Sequence, residues 1–187
     1  HLKRLLPEDS FEGPGTAQGL RRVDYSATEL INPKVSPHAY IETDYGTIEI
    51  ELAVIDAPLT SENFVTLSSQ GYYDGLAFHE VVSNDAVYTG DPRGDGNGGP
   101  GYTLRDEHNQ LPFLRGTVGM ARDWRDSAGS RFFISHSPQP HLDSRYTVFG
   151  HVVDGMEVLD KLEPGDRIDR VYVWDGISLL GGSELKP

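Results

Sequence analysis

Between Thr47 and Leu52 the chain alternates strictly, with Ile48, Ile50 and Leu52 set against Thr47, Glu49 and Glu51. That is the period of a strand with one buried face. A helical signal follows. Pro58 suits a first helical turn, Phe64 and Leu67 mark an apolar stripe, and Gln70-Gly71 stops it. Gly155–Leu162 predicts a second short helix, with Met156, Leu159 and Leu162 on one side and Pro164-Gly165 ending it. Val171-Tyr172-Val173-Trp174 reads as a closing strand. Short strands, glycine-rich turns and only two helices favour a β-barrel or a sandwich. Periodicity alone does not choose between them.

The pattern breaks down before His38. Residues 1–37 show no sustained period, and Pro7, Gly13-Pro14-Gly15, Pro33 and Pro37 interrupt them. They read as an extended N-terminal arm, or as a linker from an upstream domain, ahead of a folded domain over 38–187. Leu2, Leu5 and Leu6, and the patch Tyr25–Ile31, are the arm's apolar groups. Leu5 and Ile31 are therefore the expected anchors against the domain.

Composition narrows the function classes. At 187 residues the chain suits one well-buried domain plus that arm. No apolar run approaches the ~18 residues of a membrane-spanning helix. A formal net charge of −13 disfavours nucleic acid as a partner. There is no cysteine, hence no disulfide framework, thiol nucleophile or thiolate zinc site.

Several short motifs lose their force in context. Gly94-x-Gly96-x-x-Gly99 fits a dinucleotide fingerprint, but Pro100-Gly101 stands where the helix that meets the pyrophosphate should begin. Asp95 and Asn97 suggest a calcium loop, yet Pro100 takes the place of the turn glycine. Arg93-Gly94-Asp95 is too short a string to carry meaning. His136 and His141 lack a third ligand at useful spacing, so no metal is expected. No Gly-x-Ser-x-Gly elbow supports a hydrolase triad. No cofactor is implied.

The most specific text lies elsewhere: Gly129-Ser130-Arg131-Phe132-Phe133-Ile134, then Pro140-His141-Leu142-Asp143, then Tyr146-Thr147-Val148-Phe149-Gly150. With Gly71–His79, Gly90-Asp91-Pro92 and the glycine-rich run Gly94–Gly101, it resembles the signature of the cyclophilins, the peptidyl-prolyl isomerases, over about residues 39 to 180. The resemblance implies a mainly β fold, a closed antiparallel barrel of about eight strands with a helix over each end. It also implies proline-containing peptide segments as partners. Phe133 matches the phenylalanine of the proline pocket's floor, Leu142 the leucine of its wall, and Met120-Ala121 the strand that pairs with substrate. Tyr146 stands where members have histidine or, especially in bacteria, tyrosine. His141 replaces the tryptophan of drug-sensitive members, which should weaken cyclosporin binding.

The other wall departs from the family. Asp85-Ala86 replaces an apolar pair, Tyr88 a glutamine, and Arg122 and Arg131 an asparagine and a glutamine. Most consequentially, Glu80 stands where the catalytic arginine follows Phe-His. Isomerisation needs no covalent step. It needs an apolar seat for the ring and a hydrogen-bond donor for the twisted amide, whose rotation barrier is ~18–20 kcal/mol. A carboxylate cannot donate at neutral pH. Arg131, Glu80 and Tyr88 thus form the candidate catalytic set, with Glu80 expected to pair with Arg131 beside Tyr88. Phe133, Leu142, Tyr146, Ala121, Met120, Ala86 and His141 form the candidate substrate surface. Two readings stand: a weak prolyl isomerase, or a non-catalytic barrel that binds peptide or a partner within a larger protein. A barrel serving only as a structural cap is a third.

Overall fold

Ile48, Ile50 and Leu52 point inward from β2 (Gly46–Leu52) and are almost fully buried, as the alternation requires. β1 (His38–Thr43) runs antiparallel beside it, with Ala39 opposite Ile50 and Ile41 opposite Ile48. The structure is a computed structural model that describes residues 36–174. The expected anchors of the arm, Leu5 and Ile31, lie outside the described residues. Only its end is seen, where Leu52 N–H donates to the Pro37 carbonyl at 2.9 Å.

Among the described residues the sheet continues through β3 (Glu80–Val81), β4 (Ala86–Thr89), β5 (Thr117–Met120), β6 (Phe132–Ser135), β7 (Val148–Asp154) and β8 (Ile168–Trp174). Its order is β3-β4-β6-β5-β7-β2-β1-β8, antiparallel at every pairing. The expected closed barrel is met in part. The molecule is an eight-stranded half-barrel, since its edge strands β3 and β8 do not form a ladder with each other. The segment entering β3 instead bridges to the segment entering β8. Ala77 pairs with Arg167, and hydrogen bonds of 2.7–2.9 Å join Gly75, Leu76 and Phe78 to Gly165, Asp166 and Ile168. β8 starts at Ile168, before the predicted Val171, because a register shift opposite Glu42 and Thr43 breaks its alternation.

The helix α1 (Pro58–Ser69) covers the core, burying Phe64 and Leu67. Phe64 sits amid Tyr73, Phe132 and Phe149, with ring centroids 5.1–5.5 Å away. Ala57, the residue before it, has no capping side chain. A distant carboxylate does that work: Glu107 accepts the N–H groups of Leu59 (3.0 Å) and Thr60 (2.7 Å) and the Thr60 hydroxyl. Both the unpaired amides and the positive end of the helix dipole favour an anion there. The second helix, α2 (Met156–Leu159), is shorter than predicted. Its continuation to Leu162 tightens into i→i+3 bonds, Lys161 to Val158 and Leu162 to Leu159, while Leu159 and Leu162 stay buried.

Candidate functional site

Strand alternation gives the sheet two apolar faces near β6. Phe132 and Ile134 enter the main core, whereas Phe133 points the other way into a separate cluster. That cluster holds Ala86, Phe113, Phe133 and Val148, rimmed by the half-buried Tyr88, Leu111, Ala121, Leu142 and Tyr146. Phe113 stacks on Phe133 at 5.6 Å between centroids, 11° from parallel. Tyr88 leans on Phe133 at 5.3 Å, and Tyr146 meets it edge-on at 5.9 Å and 89°. Edge-to-face and offset contacts of this kind suit the ring quadrupoles. Gly119 on β5 makes the stack possible, since a Cβ there would lie 2.7 Å from both Phe113 Cε1 and Phe133 Cζ.

Six residues named from the sequence therefore come together: Phe133, Ala86, Tyr88, Ala121, Leu142 and Tyr146. Others do not. The Met120 side chain is buried in the main core, one position out of phase with Ala121, so only its backbone faces the site. His141 is exposed on the short 3-10 turn Pro140–Leu142. Phe113 and Gly119 were missed. A glycine inside a strand is a sequence signal of close approach, and Gly119 would have pointed to its aromatic neighbours.

The expected Glu80–Arg131 pair does not form. Arg131 donates through Nη2 to Asp123 Oδ1 at 2.8 Å and through Nη1 to the Gly96 carbonyl, while Glu80 is exposed. Asp123 lies eight residues up the chain in a loop beside β6, and it holds the guanidinium on that side. Tyr88 does lie opposite Glu80 in the β3–β4 pairing. Burial, then the charges of Asp85, Glu80 and Tyr146, push the Tyr88 phenol up to about 12. It stays a neutral donor well beyond physiological pH. Asp85 accepts from the Gln139 side-chain amide and ties the hairpin to the 139 loop.

Arg131 also edges a cleft of about 510 Å³ whose walls include Pro92, Asn97, Tyr102, Asp123 and Trp124. Arg122 lies toward the other side. Its Cζ sits 5.0 Å above the Tyr146 ring, and its Nη1 meets Asp106 at 2.9 Å. No group of three or more His, Cys, Asp or Glu positioned to hold a metal occurs among the described residues.

The fold is thus an antiparallel half-barrel with one aromatic cluster in its core and a second on the opposite face of the sheet. Residues 38–177 match the family model described as cyclophilin type peptidyl-prolyl cis-trans isomerase/CLD, and the chain belongs to that family. It is 48% identical over 137 residues to a peptidyl-prolyl cis-trans isomerase of Synechococcus elongatus, covering 72% of this chain and 94% of the relative. Peptidyl-prolyl cis-trans isomerase B of Bacillus subtilis is 42% identical, with 72% and 95% covered. A crystal structure of a Cryptosporidium parvum cyclophilin type peptidyl-prolyl cis-trans isomerase superposes with a TM-score of 0.70 at 30% identity, covering 74% of this chain and 97% of that one. The same protein in the presence of the dipeptide Ala-Pro gives 0.65 at 32% identity, with 73% and 96% covered.

Proposed function

We propose that this chain binds proline-containing peptide segments at the cluster around Phe133 and isomerises the prolyl bond slowly. The observation that carries this reading is the rim itself. Tyr88, Ala121, Leu142 and Tyr146 offer half-buried apolar faces above Phe133, a seat for one pyrrolidine ring. Burying the ring there favours binding, and rate enhancement requires a donor aimed at the twisted amide. Arg131 is committed to Asp123 and Gly96, and Glu80 cannot donate. The Tyr88 hydroxyl, opposite Glu80 and held neutral, offers a donor at this wall. A neutral phenol stabilises developing charge less than a guanidinium, so catalysis is weak. With this reading goes the closed barrel of the family, supported by the bridge from 75–78 to 165–168.

The second reading, a peptide-binding module without catalysis, is favoured by Glu80 itself. Exchange NMR on an Ala-Pro peptide, with resonance mapping on the protein, separates the two. Acceleration with shifts at Phe133, Leu142 and Tyr146 supports the isomerase, and shifts without acceleration support the module. Shifts confined elsewhere would sink both.

A further inference from the structure

We propose that Arg122 is a positioning residue of the proline-binding surface, holding the Tyr146 ring at the angle that walls the site. The inference rests on the reading of that surface given above. It goes beyond that reading because Arg122 itself lies outside the aromatic cluster.

The guanidinium grips Tyr146 at two points. Its Cζ lies over the ring, 5.0 Å from the centroid, and its Nη2 donates to the carbonyl of Arg145, the preceding residue, at 2.6 Å. Ring and backbone are therefore fixed by one group. Arg122 is itself clamped. Nη1 meets Asp106 Oδ2 at 2.9 Å, and the Asp106 side chain is only 3% exposed. Asp106 cannot drift, because it and Asp126 exchange backbone N–H to carboxylate bonds, at 2.9 and 3.2 Å. The next residue, Glu107, caps α1 and donates its N–H to the hydroxyl of Thr147, the neighbour of Tyr146, at 2.9 Å. The clamp runs from the helix through Asp106 and Arg122 to the ring.

Charge balance alone does not explain this arrangement. A lysine would neutralise Asp106, but its ammonium has neither the planar face for the ring nor the fork to reach two acceptors at once. Tyr146 is half-buried at the rim and meets the floor residue Phe133 edge-on, so the guanidinium supplies a contact on its face that Phe133 does not. The guanidinium orders the ring before a ligand arrives. Ordering one side chain in advance is worth about 2- to 10-fold in affinity.

The test uses the whole chain with Arg122→Gln, Arg122→Lys, Tyr146→Ala and the Arg122→Gln/Tyr146→Ala double variant. In the ligand-free protein, cross-relaxation between Tyr146 ring protons and Phe133 should weaken in both Arg122 variants. Lysine should fail to rescue despite keeping the charge. For an Ala-Pro peptide, Arg122→Gln should raise Kd and KM about 2- to 10-fold with kcat little changed. The same substitution should add nothing in the Tyr146→Ala background. Unchanged Tyr146–Phe133 cross-relaxation, or an Arg122→Gln effect on Kd that persists without Tyr146, overturns the proposal. If Arg122→Gln does not fold, Arg122→Lys carries the ring measurement alone. Failure of the native protein to bind the peptide rejects the reading of the surface, and the ligand-free ring measurement still decides the role of Arg122.

Discussion

Arg131 is paired with Asp123 at 2.8 Å and anchored to the Gly96 carbonyl, and it makes no ion pair with Glu80 among the described residues. Glu80 and Arg131 thus act separately. Glu80 is free at the end of a two-residue edge strand. Arg131 belongs to the wall of the neighbouring cleft.

The separation simplifies the experiment on catalysis. Glu80→Arg on its own restores a donor beside Tyr88 without setting two guanidinium groups against each other. It should raise kcat/KM at least ~10-fold, toward the ~10²–10³ that one preorganised donor is worth. An exposed substitution of this kind should shift stability by no more than about 0.5 kcal/mol. Arg131→Gln should change kcat/KM by less than about 3-fold, a change worth under ~0.7 kcal/mol of barrier. Exchange NMR on the same peptide checks both, and a large loss in Arg131→Gln would return that residue to the catalytic centre.

Tyr88→Phe keeps the ring contact with Phe133 and removes only the hydroxyl. Peptide affinity should hold within about 2-fold while kcat falls ~10-fold or more, the signature of an interaction made in the transition state. The pH dependence follows from the phenol held up to about 12. Its folded value exceeds the unfolded value of 10.0, so the stabilisation from the neutral form is complete below pH 10 and disappears as pH rises through about 12. The native rate should therefore stay flat from neutral pH to about 10, where an ordinary tyrosine would already be half ionised. A rate that halves by about pH 9 would exclude Tyr88 as the donor.

Gly119→Ala tests the aromatic stack. Its Cβ would approach both rings at 2.7 Å, so Phe113 and Phe133 must separate or tilt. Overpacking of this kind costs about 1–3 kcal/mol. Phe133, Tyr88 and Tyr146 resonances should move while Phe64 and Phe149, in the other cluster, stay put. Thermal unfolding and peptide titration measure the two consequences.

What the sequence made legible was periodic or local. Ile48, Ile50 and Leu52 announced β2 by alternation, and Pro58 with Gln70-Gly71 bounded α1 to within a residue. Phe133, Leu142 and Tyr146 were found through motif register, which fixes backbone position. Register does not fix where a long side chain goes. Arg131 pairs with Asp123, a loop partner eight residues away, and not with the strand residue Glu80. Phe113 comes from the irregular stretch before β5, where no period marks the inward face. Met120 was assigned to the site through its backbone, and the pleat sends its side chain to the core. The capping of α1 by Glu107 joins residues 48 and 47 positions apart, a contact no local pattern announces.

The last prediction concerns Asp91, which holds the glycine-rich loop that Arg131 uses. Asp91 Oδ1 accepts the Arg93 N–H at 2.8 Å, and Gly96 and Gly98 also direct N–H groups at the carboxylate. Gly98 must be glycine for this, since a Cβ would sit 1.8 Å from Oδ1. Burial pushes the carboxyl up, but the N–H groups of Arg93, Gly98 and Gly96, together with His79, outweigh it and hold the group below its usual 3.8. A depressed folded value means the stabilisation is present above 3.8 and is lost as pH falls through the folded value. Asp91→Asn should cost about 1–3 kcal/mol at neutral pH, because an amide accepts these bonds without the charge that strengthens them. The difference from native protein should shrink toward zero as pH falls through the depressed folded value. Amide exchange at Gly96 and Gly98 should quicken in the variant, and Arg131, whose Nη1 depends on the Gly96 carbonyl, should loosen from Asp123 with it. If exchange at Gly96 is unaffected, the carboxylate is not what orders this loop, and the placement of Arg131 must come from Asp123 alone.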